Sequence, residues 1–143
     1  MREWERERAI AEARGDIFVI KDDTYINMHL VKTKNGYIAI DTGLHKKVIR
    51  REMQKIGVLP EEVHAVFITH TDYDHVKAVA LYTKAVLYLP AAEECMINGS
   101  TVRSAYIYKN SLNAEYKTVE HKQLVEVDGT RVLCLHTPGH TPG

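Results

Sequence analysis

Val63-His-Ala-Val-Phe-Ile-Thr69 runs directly into His70-Thr-Asp-Tyr-Asp-His75, and the junction between the two decides how the whole chain is read. The first stretch is largely apolar, the pattern of a strand buried on both faces. The second brings four potential metal ligands, His70, Asp72, Asp74 and His75, into six residues. On an extended or turning segment His70, Asp72 and Asp74 share one side while His75 swings to the other, so one short loop can serve two adjacent ions. Buried without partners, four such side chains would each cost free energy; a metal ion satisfies them and supplies the compensating charge. The competing reading is a solvated acidic loop between strand and helix, with Asp74 as the helix N-cap.

Working outward, the pattern is mixed strand and helix. Before the junction, Ile17–Ile20 and Tyr25–Val31 read as two strands of a hairpin. Asn35-Gly36, a pair that tolerates positive φ at both turn positions, predicts a second hairpin between Leu30–Lys34 and Tyr37–Ile40. Three antiparallel strands therefore open the fold. From His45 to Ile56 the apolar residues Ile49, Met53 and Ile56 recur at helical spacing, and Gly57 ends the helix. After the junction come a helix over about 76–82, a strand Ala85–Leu89, and helical stretches after Pro90 and near 101–108. Leu124–Val127, Asp128-Gly129 and Arg131–Leu135 make a last hairpin.

The chain closes as His136-Thr-Pro-Gly-His-Thr-Pro-Gly143. Its prolines forbid helix and fix φ, and its glycines allow close backbone approach, so the loop presents the single imidazole of His140 rigidly. Alone, His140 is an exposed turn histidine. With the 70–75 cluster it is the distant ligand that closes a site.

Composition narrows the function classes. The 143 residues carry 19 Lys+Arg against 19 Asp+Glu, with eight His, two Cys and 45% hydrophobic residues, as in one ordinary soluble domain. No basic stripe is available for nucleic acid and no apolar run is long enough to span a bilayer. The first residues alternate in charge and lack the apolar core of a secretory signal, so the expected location is the cytoplasm. Residues 1–16 read as a charged N-terminal segment and residues 17–143 as the domain.

Three motifs now stand in order: Asp41-Thr42-Gly43, His70-Thr-Asp-Tyr-Asp-His75 and Gly139-His140-Thr-Pro-Gly143. Together they resemble the metallo-β-lactamase fold superfamily of metallohydrolases, with its Asp-x-Gly turn, its His-x-His-x-Asp-His motif after an apolar strand and its later Gly-His-Thr-x-Gly loop. The resemblance implies an α/β (α+β) fold, the αβ/βα sandwich, of which this chain holds the first half with a mixed sheet. It places His70, Asp72 and His140 on a first ion, and Asp74 and His75 on a second. Asp41 would support them from behind, and Asp74 would orient or deprotonate the nucleophile. The implied activity is metal-dependent hydrolysis of an ester, thioester, lactone or phosphodiester-type bond in a small-molecule substrate, with one or two divalent ions as cofactor and zinc as the family's usual metal. His136, four residues before His140, is a candidate supporting partner.

Two departures shape the expectation. Asp72 stands where the common motif has histidine; a carboxylate hardens the ligand set and brings iron or manganese into range. It also resembles the diiron branch of the superfamily, which makes a redox site one alternative. In the family, a second half after Gly143 supplies a bridging aspartate and a last histidine, so the domain reads as truncated, with one sheet face left to cover. A homodimer or a complementing C-terminal half would cover it, and an inactive metal-binding or assembly module is the other alternative. His29, His45, His64 and His121 have no ligand-spaced partners and read as surface or satisfied strand residues. Cys134 reads as a small hydrophobe, Tyr82, Tyr88, Tyr106 and Tyr108 as core, and Tyr73 as a residue on the rim of the site.

Overall fold

The computed structural model describes residues 16–22, 25–98 and 110–143. The helical stretch predicted near 101–108, with Tyr106 and Tyr108, lies outside them. Strands β1 (Ile17–Lys21), β2 (Asn27–Lys32) and β3 (Tyr37–Ile40) form the antiparallel opening. β4 (Val63–Phe67), β5 (Val86–Pro90) and β6 (Lys117–Val119) then add in parallel, giving one mixed six-stranded sheet in the order β1-β2-β3-β4-β5-β6. β7 (Leu124–Val127) and β8 (Thr130–Leu133) pair separately as a hairpin. Its turn follows the sequence reading: Asp128 and Gly129 both have positive φ, 48° and 79°.

Alternation along the strands builds two apolar layers. Met28, Leu30, Ala39, Val63, Val66, Leu87 and Leu89 face one side, where Ile49 and Met53 of helix α1 (Lys46–Lys55) cover them. Ile38, Ala65, Phe67 and Val119 face the other, against Val125 and Val127 of the β7–β8 hairpin. β4 is therefore buried on both faces. On the second side Phe67 stacks on Tyr88 with ring centroids 4.7 Å apart, and Cys134 packs nearby as a half-buried hydrophobe whose thiol pKa burial raises. A groove of about 380 Å³ remains there, lined in part by Phe67, Tyr88, Val119 and Leu135.

Helix α1 ends as its sequence predicts: Gly57 has φ 75°, its N–H bonds the Gln54 carbonyl, and the Val58 N–H bonds the Met53 carbonyl. The segment leading into it is held from a distance: the buried Asp22 carboxylate accepts the N–H groups of Leu44 and His45, just before the first helical residue, Lys46.

Two local expectations are corrected. Neither Asn35 nor Gly36 adopts positive φ; the β2–β3 connection is a wider turn in which the Thr33 N–H bonds the Gly36 carbonyl at 2.8 Å and Thr33 Oγ1 accepts the Gly36 N–H. Gly36 is needed for space, because a Cβ there would lie 2.5 Å from the Glu62 carbonyl oxygen. The helix predicted over 76–82 is instead one turn, α2 (Tyr73–Val76), followed by a 3₁₀ turn Val79–Leu81. The His75 carbonyl accepts the Thr42 N–H and hydroxyl, and the Ala78 N–H bonds the Gly43 carbonyl. Backbone groups that a continuous helix would use internally are thus turned onto the Asp41–Gly43 turn.

Candidate metal centre

The C-terminal ends of β3 and β4 lie side by side, in parallel. This carries Asp41 and Thr69 to the same end of the two central strands, each just past its strand. Asp41 has φ 63°, a left-handed conformation that Asp tolerates better than most residues. That backbone turns its buried carboxylate inward. Oδ1 accepts the Thr69 N–H at 2.7 Å, and Oδ2 accepts the Thr69 hydroxyl and the His75 Nδ1–H, each at 2.8 Å.

Proton accounting then fixes two imidazoles. The single Thr69 hydroxyl proton is directed at Asp41, so Thr69 Oγ1 is the acceptor for the His70 Nδ1–H, 2.9 Å away. In the neutral form His70 and His75 therefore both carry their proton on Nδ1 and leave Nε2 as the lone pair, the tautomer a metal ligand needs. The hydrogen bond to Asp41 raises the pKa of His75, whereas burial, with His75 as a like-charged neighbour, lowers that of His70.

Asp72 sits at the N-cap position of α2 but makes no cap bond with its side chain, so the acidic-loop reading with Asp74 as a capping residue does not describe this turn. Instead Asp72 Oδ2 faces two histidines, 2.8 Å from His140 Nε2 and 3.6 Å from His70 Nε2. The ligand atoms of His70, Asp72 and His140 all lie within 4.8 Å of one another. The His70 ring lies 4.1 Å from that of His75 and 5.0 Å from that of His140. His75 turns its Nε2 toward Asp74, 3.6 Å from Oδ2, so these two form a neighbouring pair beside the triad. His140 is the open side of the cluster: its side chain is 64% exposed, against 16% for His70.

Of the remaining sequence candidates, His136 sits within the loop that carries His140. Its Nε2 meets the Pro142 carbonyl and its N–H bonds His121 Nδ1, so it braces the terminal loop from within rather than holding a ligand ring. His45 pairs with Asp22 and His64 with Asp128. Tyr73 is exposed at the rim, with the Lys77 ammonium 5.1 Å from its ring centroid. Tyr82 is core: its hydroxyl donates to the Thr42 carbonyl, and burial raises its pKa. Thr69, Thr71, Glu93 and Asn110 were given no role from the sequence; each is a single polar residue, and only Thr69, beside the motif, and Thr71, within it, had a position that could have signalled one.

His70, Asp72 and His140 thus form a histidine–carboxylate cluster, past the C-terminal ends of the central strands, that could hold a metal ion. Residues 22–143 match the metallo-beta-lactamase superfamily, and the chain belongs to that family. A probable metallo-hydrolase of Mycobacterium tuberculosis is 28% identical over 152 residues, covering 80% of this chain and 49% of the relative. An N-acyl homoserine lactonase of Bacillus cereus is 24% identical over 141 residues, covering 80% and 54%. The crystal structure of the metallo-β-lactamase SMB-1 superposes with a TM-score of 0.75 at 22% identity, covering 90% of this chain and 53% of that one, which shows the shared fold. The chain thus spans about half the length of these relatives.

Proposed function

We propose that the chain carries the metal-binding half of a hydrolase active site, in which His70, Asp72 and His140 hold one divalent ion and Asp74 and His75 contribute to a second. The observation that carries this reading is the 3.6 Å gap between His70 Nε2 and Asp72 Oδ2. The Nδ1 proton of His70 is directed at Thr69, so a lone pair on nitrogen faces a carboxylate oxygen. With His70 neutral, two acceptors face each other there, an arrangement that a metal ion between them would satisfy. Two imidazoles and one carboxylate suit zinc, and the carboxylate keeps iron and manganese in range.

When bound, the ion lowers the pKa of coordinated water toward neutrality and polarises the bond to be broken. The protein's part is orientation. Asp41 and Thr69 hold His70 and His75 in the ligating tautomer, and Asp74 orients or deprotonates the attacking water. The open side at His140 admits a small-molecule substrate carrying an ester, thioester, lactone or phosphodiester bond; the lactonase relative favours an acyl bond. The apolar groove over Phe67 and Tyr88 supports completion of the second sheet face by further polypeptide, either a second copy or a complementing half.

The test is metal content by elemental analysis on the purified protein and on His70→Ala, with hydrolysis of acyl and phosphodiester substrates measured in parallel. Bound zinc, iron or manganese in the parent, lost from His70→Ala together with turnover, supports the assignment. Equal metal in both proteins would sink it.

A further inference from the structure

Glu93 is a charged residue with 0% exposure, and no step of the proposed chemistry uses it. It closes the 3₁₀ turn Ala91–Glu93 that follows β5, one strand away from the ligand-bearing end of β4. Its Oε1 accepts the Thr71 N–H at 2.7 Å and the Thr71 hydroxyl at 2.9 Å, and its Oε2 accepts the Gly143 N–H at 3.1 Å. Thr71 lies between His70 and Asp72, and Gly143 lies three residues after His140. One buried carboxylate therefore holds both ligand loops, each by its own oxygen.

The contact continues toward the ligands. Because the Thr71 hydroxyl proton goes to Glu93, Thr71 Oγ1 accepts from Asn110 Nδ2 at 3.1 Å, and the same amide nitrogen reaches Asp72 Oδ1 at 3.2 Å. That bond occupies the outer oxygen of Asp72 and turns Oδ2 to His140 and His70. Gly143 fits for lack of a side chain, since a Cβ there would lie 2.7 Å from Glu93 Oε2. We infer that Glu93 is a positioning residue, a clamp that sets the spacing between the His70–Asp72 loop and the His140 loop and, through Thr71 and Asn110, the orientation of the Asp72 carboxylate. The inference rests on the metal-site reading above for its purpose and on these hydrogen bonds alone for its existence.

Glu93→Gln keeps the volume but offers one acceptor oxygen and one NH₂ group. With the oxygen kept on Thr71, the NH₂ faces the Gly143 N–H, donor against donor, and the terminal loop is released. Thr71→Val keeps the Gly143 anchor and breaks the relay to Asp72, while Thr71→Ser restores the hydroxyl. Amide hydrogen exchange of the metal-free proteins reads the clamp directly: residues 137–143 should exchange about tenfold faster in Glu93→Gln, with β2 and β3 unchanged. Cobalt titration then reads the consequence. Glu93→Gln and Thr71→Val should each bind Co²⁺ about ten- to a hundredfold more weakly, with altered visible bands, and Thr71→Ser should match the parent. Parental exchange at 137–143 in Glu93→Gln would overturn the clamp. A parent that binds no cobalt, with exchange behaving as expected, would instead overturn the metal-site reading and leave the clamp standing.

Discussion

β4 carries a histidine near each end, and the two are built for different ends. His64, near its start, pairs through Nδ1 with Asp128 Oδ2, and Thr33 donates its hydroxyl to the same oxygen at 3.0 Å. One imidazole and one hydroxyl supply the protons and one carboxylate accepts them, so the arrangement is satisfied and pins the β7–β8 turn to the β2–β3 turn. His70, just beyond the other end, spends its proton on Thr69 and turns its lone pair toward Asp72. Both sites are histidine–aspartate contacts by distance. The direction of the protons separates a structural pin from a place for a cation.

The largest effect expected from this contrast is on metal uptake. His70→Ala and His140→Ala should abolish it at micromolar free ion, while His64→Ala should leave the metal affinity within about twofold of the parent, since a residue outside the ligand shells contributes little; isothermal titration on the three variants decides. A His64→Ala protein that lost its metal would erase the distinction.

Next in size is Asp41. Asp41→Asn keeps a residue that tolerates φ near 63°, but its amide nitrogen cannot accept the protons that Thr69 and His75 deliver. Metal affinity should fall about ten- to a hundredfold, and stability by about 1–3 kcal/mol for the unsatisfied buried donors. Asp41→Ala should destabilise further because it adds backbone strain. Calorimetric titration and chemical denaturation separate the two terms.

The smallest effect is at the pin. The hydrogen bond from His64 lowers the pKa of Asp128 below the ordinary carboxylate value, so the carboxylate adds stability that is present above about pH 4 and fades as the pH falls through the lowered value. Asp128→Asn should flatten that part of the acid unfolding curve and leave the neutral-pH metal affinity alone. An acid limb identical to the parent's would show that the pin contributes nothing.

The frame of this molecule was legible because its signals are repetitive. Apolar runs such as 63–67, the Ile49–Met53–Ile56 spacing and the Asp128-Gly129 turn each rest on several residues or on a backbone conformation with few tenants. His70, Asp72 and His140 were grouped because the motifs that hold them resemble, in order, those of the metallo-β-lactamase superfamily, and the structure brings their ligand atoms within 4.8 Å of one another. What escaped was carried by single residues acting at long range. Asp22 holds the lead-in to a helix that begins 24 positions later, and Glu93 reaches both loops from a third element; neither leaves a local pattern. β6, at three residues, is too short to announce itself, and the break after α2 comes from Thr42 and Gly43 in a distant turn.

The two ligand loops stand 68 positions apart at the Asp72–His140 contact. An ion held across them ties together segments that the unfolded chain keeps widely separated, so it acts as a reversible staple whose strength is set by mass action. At a free concentration a hundred times its Kd, such an ion raises the free energy of unfolding by about 2.7 kcal/mol. Resistance to heat and proteases would then report metal supply.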